Sequence, residues 1–119
     1  MTSLLAKSVL QSLRQAFPNT RINPEYYINY QGQKLFFDFH LPNLSIVVEV
    51  QGVQHTEFNA HFHGTAENFK ASKKRDRLKV EWCDINDMTL VCIGHKEVPI
   101  DTPDLLKKIE EAQSSGSEN

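Results

Sequence analysis

The sequence predicts an α/β domain in which a central mixed four-stranded β-sheet is flanked by α-helices. Three observations carry that prediction. Residues 34–55 read KLFFDFHLPNLSIVVEVQGVQH, two aromatic and β-branched runs on either side of a Leu-Pro-Asn-Leu break, which is a hairpin signal. Apolar residues near both ends of the chain recur at helical spacing instead, and such helices can cover a sheet face. With 119 residues, there is enough chain for one compact domain and no more.

Taken in order, residues 3–17 form an amphipathic helix, with Leu5, Val9, Leu13, Ala16 and Phe17 on one stripe, Ser3 as N-cap and Pro18 beyond the last turn. Tyr26, Ile28 and Tyr30 alternate with Tyr27 and Asn29 in a first strand, and Gln31-Gly32 turns into the central hairpin. The tyrosines either stack on bases or cover a sheet with their hydroxyls in water; the second role is the commoner one. The second strand spans about 33–41 and the third about 44–51. Strict alternation places Leu35, Phe37, Phe39 and Leu41 on one face, matched by Ile46, Val48 and Val50. Gly52 ends the third strand.

A loop with His55, Phe58, His61, Phe62 and His63 follows, its two phenylalanines expected to tuck into the core. Thr65 then caps a helix running to about Asn86. Met88–Ile93 reads as a short apolar strand of buried rather than edge type. Thr102-Pro103-Asp104 opens a last helix anchored by Leu105, Leu106 and Ile109, with Thr102 as N-cap. The expected domain is 1–112, and 113–119 (QSSGSEN) has the composition of a disordered tail.

The chemistry concentrates where strands are normally greasy. Asp38 interrupts the second strand and Glu49 the third. A turn centred on Pro42-Asn43-Leu44 sets them opposite one another, within ~5 Å. Two carboxylates that close repel, so one protonates unless a cation sits between them. Isolated strand acids are usually paired with Lys or Arg, or lie on an edge. An opposed pair with Gln51 beside it points instead to a divalent metal, with Asp38, Glu49 and a backbone carbonyl near Val50 as ligands. Mg²⁺ wants such oxygen donors and keeps several waters, and Mn²⁺ can substitute. Gln51 or His55 can orient a metal-bound water, and His55 can instead protonate a leaving oxygen.

The net charge of −2 hides an asymmetry. Residues 65–79 carry Lys70, Lys73, Lys74, Arg75, Arg77 and Lys79 against Glu67 and Asp76, a balance of +4, whereas residues 80–119 sum to −6. A run of this kind is usually a solvated helix face. Its sharper reading is a ridge that contacts the DNA backbone, built from Lys70, Lys73, Lys74, Arg75 and Arg77.

These residues carry a resemblance. FDFHLPNLSIVVEVQGVQH, followed by a helix with RDRLKVEWCDIND and a strand TLVCI, resembles the PD-(D/E)XK nuclease superfamily, in its very-short-patch-repair-like and phage homing endonuclease branch, over about residues 33–93. The resemblance implies a restriction-endonuclease-like core. It matches Asp38 and Glu49 to the strand acids, Gly52, Gln54 and His55 to the segment after them, and Asp76 and Lys79 to the helix pair. It implies a Mg²⁺-dependent endonuclease, a small free-standing phage-type homing enzyme acting on double-stranded DNA as a homodimer in the host cytoplasm. Two departures stand out. Gln51 occupies the position usually held by Lys, so Lys79, Lys70 or His55 has to take that role, and Ala6-Lys7-Ser8 replaces the Glu often found in the first helix.

Other classes fit less well. No apolar run is long enough to span a membrane, and the N-terminal segment lacks the apolar block of a signal peptide. Cys83 and Cys92 are expected as free thiols. Together with His55, His61 and His63 they match no standard zinc spacing. The alternatives are a mismatch- or junction-specific repair nuclease and a non-catalytic DNA-binding module on the same fold.

Overall fold

The computed structural model describes residues 3–52 and 66–117. Its elements are α1 (Leu4–Ala16), β1 (Asn23–Tyr30), β2 (Gln33–Leu41), β3 (Ile46–Gln51), α2 (Ala66–Ile85), β4 (Thr89–Gly94) and α3 (Thr102–Ser117). The strands form one mixed sheet in the order β1-β2-β3-β4: both hairpin pairings are antiparallel, and β3 runs parallel to β4 after the α2 crossover. This is the α/β class expected, with helices on both faces.

The local chemistry accounts for the joints. Ser3 caps α1, its hydroxyl accepting the Ala6 N–H at 3.0 Å. Gln31 and Gly32 both have positive φ, as a two-residue hairpin turn requires. Ser45, also left-handed, closes the short turn over Pro42–Leu44 that sets the β2–β3 register. Asp101 caps α3 in place of Thr102: its carboxylate accepts the Asp104 N–H and its carbonyl the Leu105 N–H. The helix then runs on through Ser117, into the stretch whose polar composition suggested a tail.

Two cores lie on opposite faces of the sheet. In the first, Ala6, Val9 and Leu13 of α1 and Leu105 and Ile109 of α3 bury Phe39, Leu41, Ile46, Val48, Val91 and Ile93. The buried Ser12 hydroxyl donates to the Ile100 carbonyl at 2.7 Å and ties α1 to the entry of α3. In the second, Leu78, Trp82 and Cys83 of α2 cover Ile28, Leu35, Phe37 and Val47.

This division corrects the expectation that Leu35, Phe37, Phe39 and Leu41 share one face. Leu35 and Phe37 face α2, while Phe39 and Leu41 face α1 and α3. The switch falls at Asp38. Across the ladder, Glu25 sits between the pairs Pro24–Phe39 and Tyr26–Phe37 with φ 51°, so the left-handed residue breaks the alternation without shifting the register. A second correction concerns β4. Among the described residues it is an edge strand, and its Val91 and Ile93 are buried by the helices rather than by flanking strands.

Candidate active site

β2 and β3 pair from Leu41–Ile46 to Phe39–Val48, and Asp38 and Glu49 are the next couple in that register. Here the pairing gives way to side chains. The Val50 N–H donates to Asp38 Oδ2 at 2.7 Å, and the Asp38 N–H in turn donates to the Glu49 carboxylate. The two acids therefore stitch the strands together where the ladder stops, each accepting a hydrogen bond from a backbone N–H of the opposite strand. Both are held by the frame of the sheet, which is what a preorganised site requires.

Their environments differ. Glu49 is only 7% exposed and points toward α2, where Lys79 Nζ lies 3.0 Å from its Oε2. Burial pushes the Glu49 carboxyl up to about 7 and the negative field of Asp38 adds to the rise; Lys79 and the Asp38 N–H offset only part of it. Asp38 is half-buried, and among the described residues no lysine or arginine clamps it. The acids thus stand side by side, and one lysine reaches the deeper of them.

Lys79 is itself positioned. Its ammonium lies 5.5 Å from the centre of the Phe37 ring, and Phe37 packs against Trp82 one turn further along α2. Because the face switch at Asp38 turns Phe37 toward α2, an aromatic wall stands beside the acid pair. Sequence reasoning had placed Phe37 elsewhere; the spacing of Lys79 and Trp82, three apart on one helix, was the available signal. Lys79 thereby occupies the neighbourhood of Glu49 that Gln51, half-buried at the end of β3, cannot fill with charge.

The other expected residues are distributed as follows. Asp76 is half-buried one turn before Lys79, close enough for its charge to act on Cys92. Lys70, Lys74, Arg75 and Arg77 are exposed along α2, and Lys73 Nζ lies 5.4 Å over the Phe69 ring. Gln54, His55, Phe58, His61, Phe62, His63 and the expected cap Thr65 lie outside the described residues. Cys83 and Cys92 are free, and burial pushes the Cys83 thiol up to about 12. Clefts along α3, one of about 440 Å³ lined by Lys96, Asp104 and Lys107 among others, contain none of the acid pair. A cavity of about 270 Å³ beside Asp38 is lined by Glu25, Phe36, Phe37 and Asp38.

Among the described residues no three His, Cys, Asp or Glu side chains converge as a closed metal cage. The donors present are two carboxylates and nearby backbone carbonyls, which are hard oxygen ligands. They fit a Mg²⁺ that keeps most of its waters rather than a structural zinc.

No family model matches the chain, and no solved structure matches it. Over 67 residues, 55% of the chain, it is 38% identical to "Uncharacterized protein 307L" of Invertebrate iridescent virus 6. The match spans about a third (34%) of that protein's length. No helix among the described residues is long and apolar enough to cross a membrane.

Proposed function

We propose that this chain is a Mg²⁺-dependent DNA endonuclease that hydrolyses phosphodiester bonds, of the small phage-type homing kind, acting on double-stranded DNA as a homodimer. The observation that carries the reading is the Asp38–Glu49 couple at the end of the β2–β3 ladder, with Lys79 3.0 Å from the buried acid. Asp38, Glu49 and the Val50 carbonyl would hold the metal, which when bound lowers the pKa of a water and neutralises charge on the phosphate.

The chain's own residues do the rest. Asp38 and Glu49 stay in place because each accepts a backbone N–H from across the hairpin. Lys79 keeps Glu49 partly ionised and offers an ammonium to a non-bridging phosphate oxygen. The Phe37 ring, packed against Trp82, covers one side of that ammonium. Lys70, Lys73, Lys74, Arg75 and Arg77 hold the backbone, while Gln51 and His55 orient water or pass on a proton.

The test combines a metal readout with a cleavage readout. Titration calorimetry with Mn²⁺ and Mg²⁺ is run on the wild type, Asp38→Ala and Glu49→Ala, beside Mg²⁺-dependent nicking of supercoiled plasmid. Metal binding and cleavage present in the wild type and lost in both variants support the reading. A wild type that binds no divalent ion, or variants that cleave as well as it does, overturn it. The Lys79–Glu49 ion pair is satisfied without a metal, which favours one second reading, a DNA-binding module with no catalysis. That module would bind DNA in a salt-sensitive way and be indifferent to Asp38→Ala.

A further inference from the structure

Tyr27 and Phe36 are directly paired across the β1–β2 ladder, and their rings meet at 5.1 Å with a 50° tilt. They occupy the face of the hairpin opposite Tyr26 and Phe37, and neither is covered: Tyr27 is 45% exposed and Phe36 53%. A cross-strand aromatic pair stabilises a hairpin through contact between the rings. That contact does not explain two large apolar side chains left open, one of them beside Asp38. Phe36 also lines the cavity that contains Asp38, so this end of the aromatic surface adjoins one of the two acids of the site proposed above. On the same face lie Lys34 and its partner Asn29, a cation and an amide next to the rings.

We propose that this surface is a stacking site for an unpaired nucleobase, so that the preferred substrate is DNA with a bulged or flapped-out base close to the bond that is cut. The inference rests on the nuclease reading, within which it favours a mismatch- or junction-specific enzyme over the homing kind. Every base offers a π-face, and an aromatic ring with an open side binds it whatever its identity. Lys34 meets the adjoining phosphate, and Asn29 can hydrogen-bond a base edge. The dimensions argue against a protein partner. Two half-exposed rings offer on the order of 200 Å², against the ~800 Å² per side of a stable protein interface. The rim around them is polar. Placement beside Asp38 would hold a displaced base next to the scissile phosphate, whereas in an intact duplex the same base is stacked and out of reach.

The experiment measures binding apart from cleavage. Fluorescence anisotropy in Ca²⁺ compares a duplex carrying one bulged base with the intact duplex, using the wild type, Phe36→Leu, the double variant Tyr27→Ala/Phe36→Ala, Phe36→Trp and Lys34→Ala. The wild type is expected to prefer the bulged duplex by about tenfold. Phe36→Leu and the double variant should bring the two affinities together, Phe36→Trp should restore the difference, and Lys34→Ala should weaken both alike. Phe36→Leu removes the aromatic face but leaves a branched apolar side chain, so the comparison survives if the double variant fails to fold. Equal wild-type affinities, a preference unchanged in Phe36→Leu, or a shift of that variant from dimer to monomer in sedimentation would overturn the proposal, the last by assigning the face to a second copy. A bulge preference without cleavage in Mg²⁺ would leave the stacking site standing and remove the nuclease reading.

Discussion

The carboxyl of Glu49 should make the metal-free protein lose stability as pH rises, and Glu49→Gln should remove that loss. In the unfolded chain this acid titrates near 4.5; in the folded protein burial carries it to about 7. A group raised in this way leaves the fold unpenalised below pH 4.5, where both states are protonated. Stability then falls across the window from 4.5 to 7, and above 7 the full penalty is present. At about 1.4 kcal/mol for each tenfold change in proton affinity, the loss comes to about 3 kcal/mol. Urea unfolding in EDTA at half-unit steps from pH 4 to 8.5, run on the wild type and Glu49→Gln, gives the difference directly. His40 works in the opposite sense, because burial and then the nearby Arg21 hold it below its ordinary value. It is present in both proteins and cancels in the subtraction. The expected difference curve slopes through pH 4.5–7 and is flat beyond it. Millimolar Mg²⁺ at pH 8 should restore stability to the wild type alone, by an amount set by its concentration relative to its dissociation constant. Parallel stability curves for the two proteins would refute the reasoning, because they would mean that Glu49 titrates as an exposed acid.

Lys79→Met should lower the cleavage rate by about a hundredfold or more while far-UV circular dichroism stays unchanged, since a developing phosphate charge loses its cation. Retention of full activity in this variant would assign the cationic role elsewhere. Phe39→Ala, at a fully buried position in the larger core, should destabilise by about 3–5 kcal/mol in denaturant unfolding, and a loss under 1 kcal/mol would contradict the packing described. At pH 8 the Cys83 thiol should react with a disulfide reagent only as fast as the protein unfolds, because burial keeps it protonated; rapid labelling of the native protein would contradict that.

Much of this was legible in the residues. The Leu-Pro-Asn-Leu turn set the β2–β3 register, and that register alone made Asp38 and Glu49 neighbours. With Gln51 in the usual lysine position the sequence offers Lys79, Lys70 and His55 for the cationic role, and only the fold shows that Lys79 reaches Glu49. What could not be read was the direction of side chains around Asp38. Period-2 reasoning assumes an unbroken strand, and a left-handed Glu25 on the neighbouring strand is invisible to it. Phe37 therefore parts from Phe39 and faces α2, where its ring lies under Lys79. The edge position of β4 was hidden for a related reason: apolar content reports burial, and helices bury a strand as thoroughly as neighbouring strands do. The capping of α3 differed by one residue because Thr102 and Asp101 are both competent caps, and only the hydrogen bonds separate them.

The bond from the Val50 amide to Asp38 makes one proton a sensor for the whole centre. In a nitrogen–proton correlation spectrum its resonance should sit far downfield while the carboxylate is free to accept, and drift back when a competing cation draws on that charge. A single cross-peak would then track occupancy without any label on the nucleic acid.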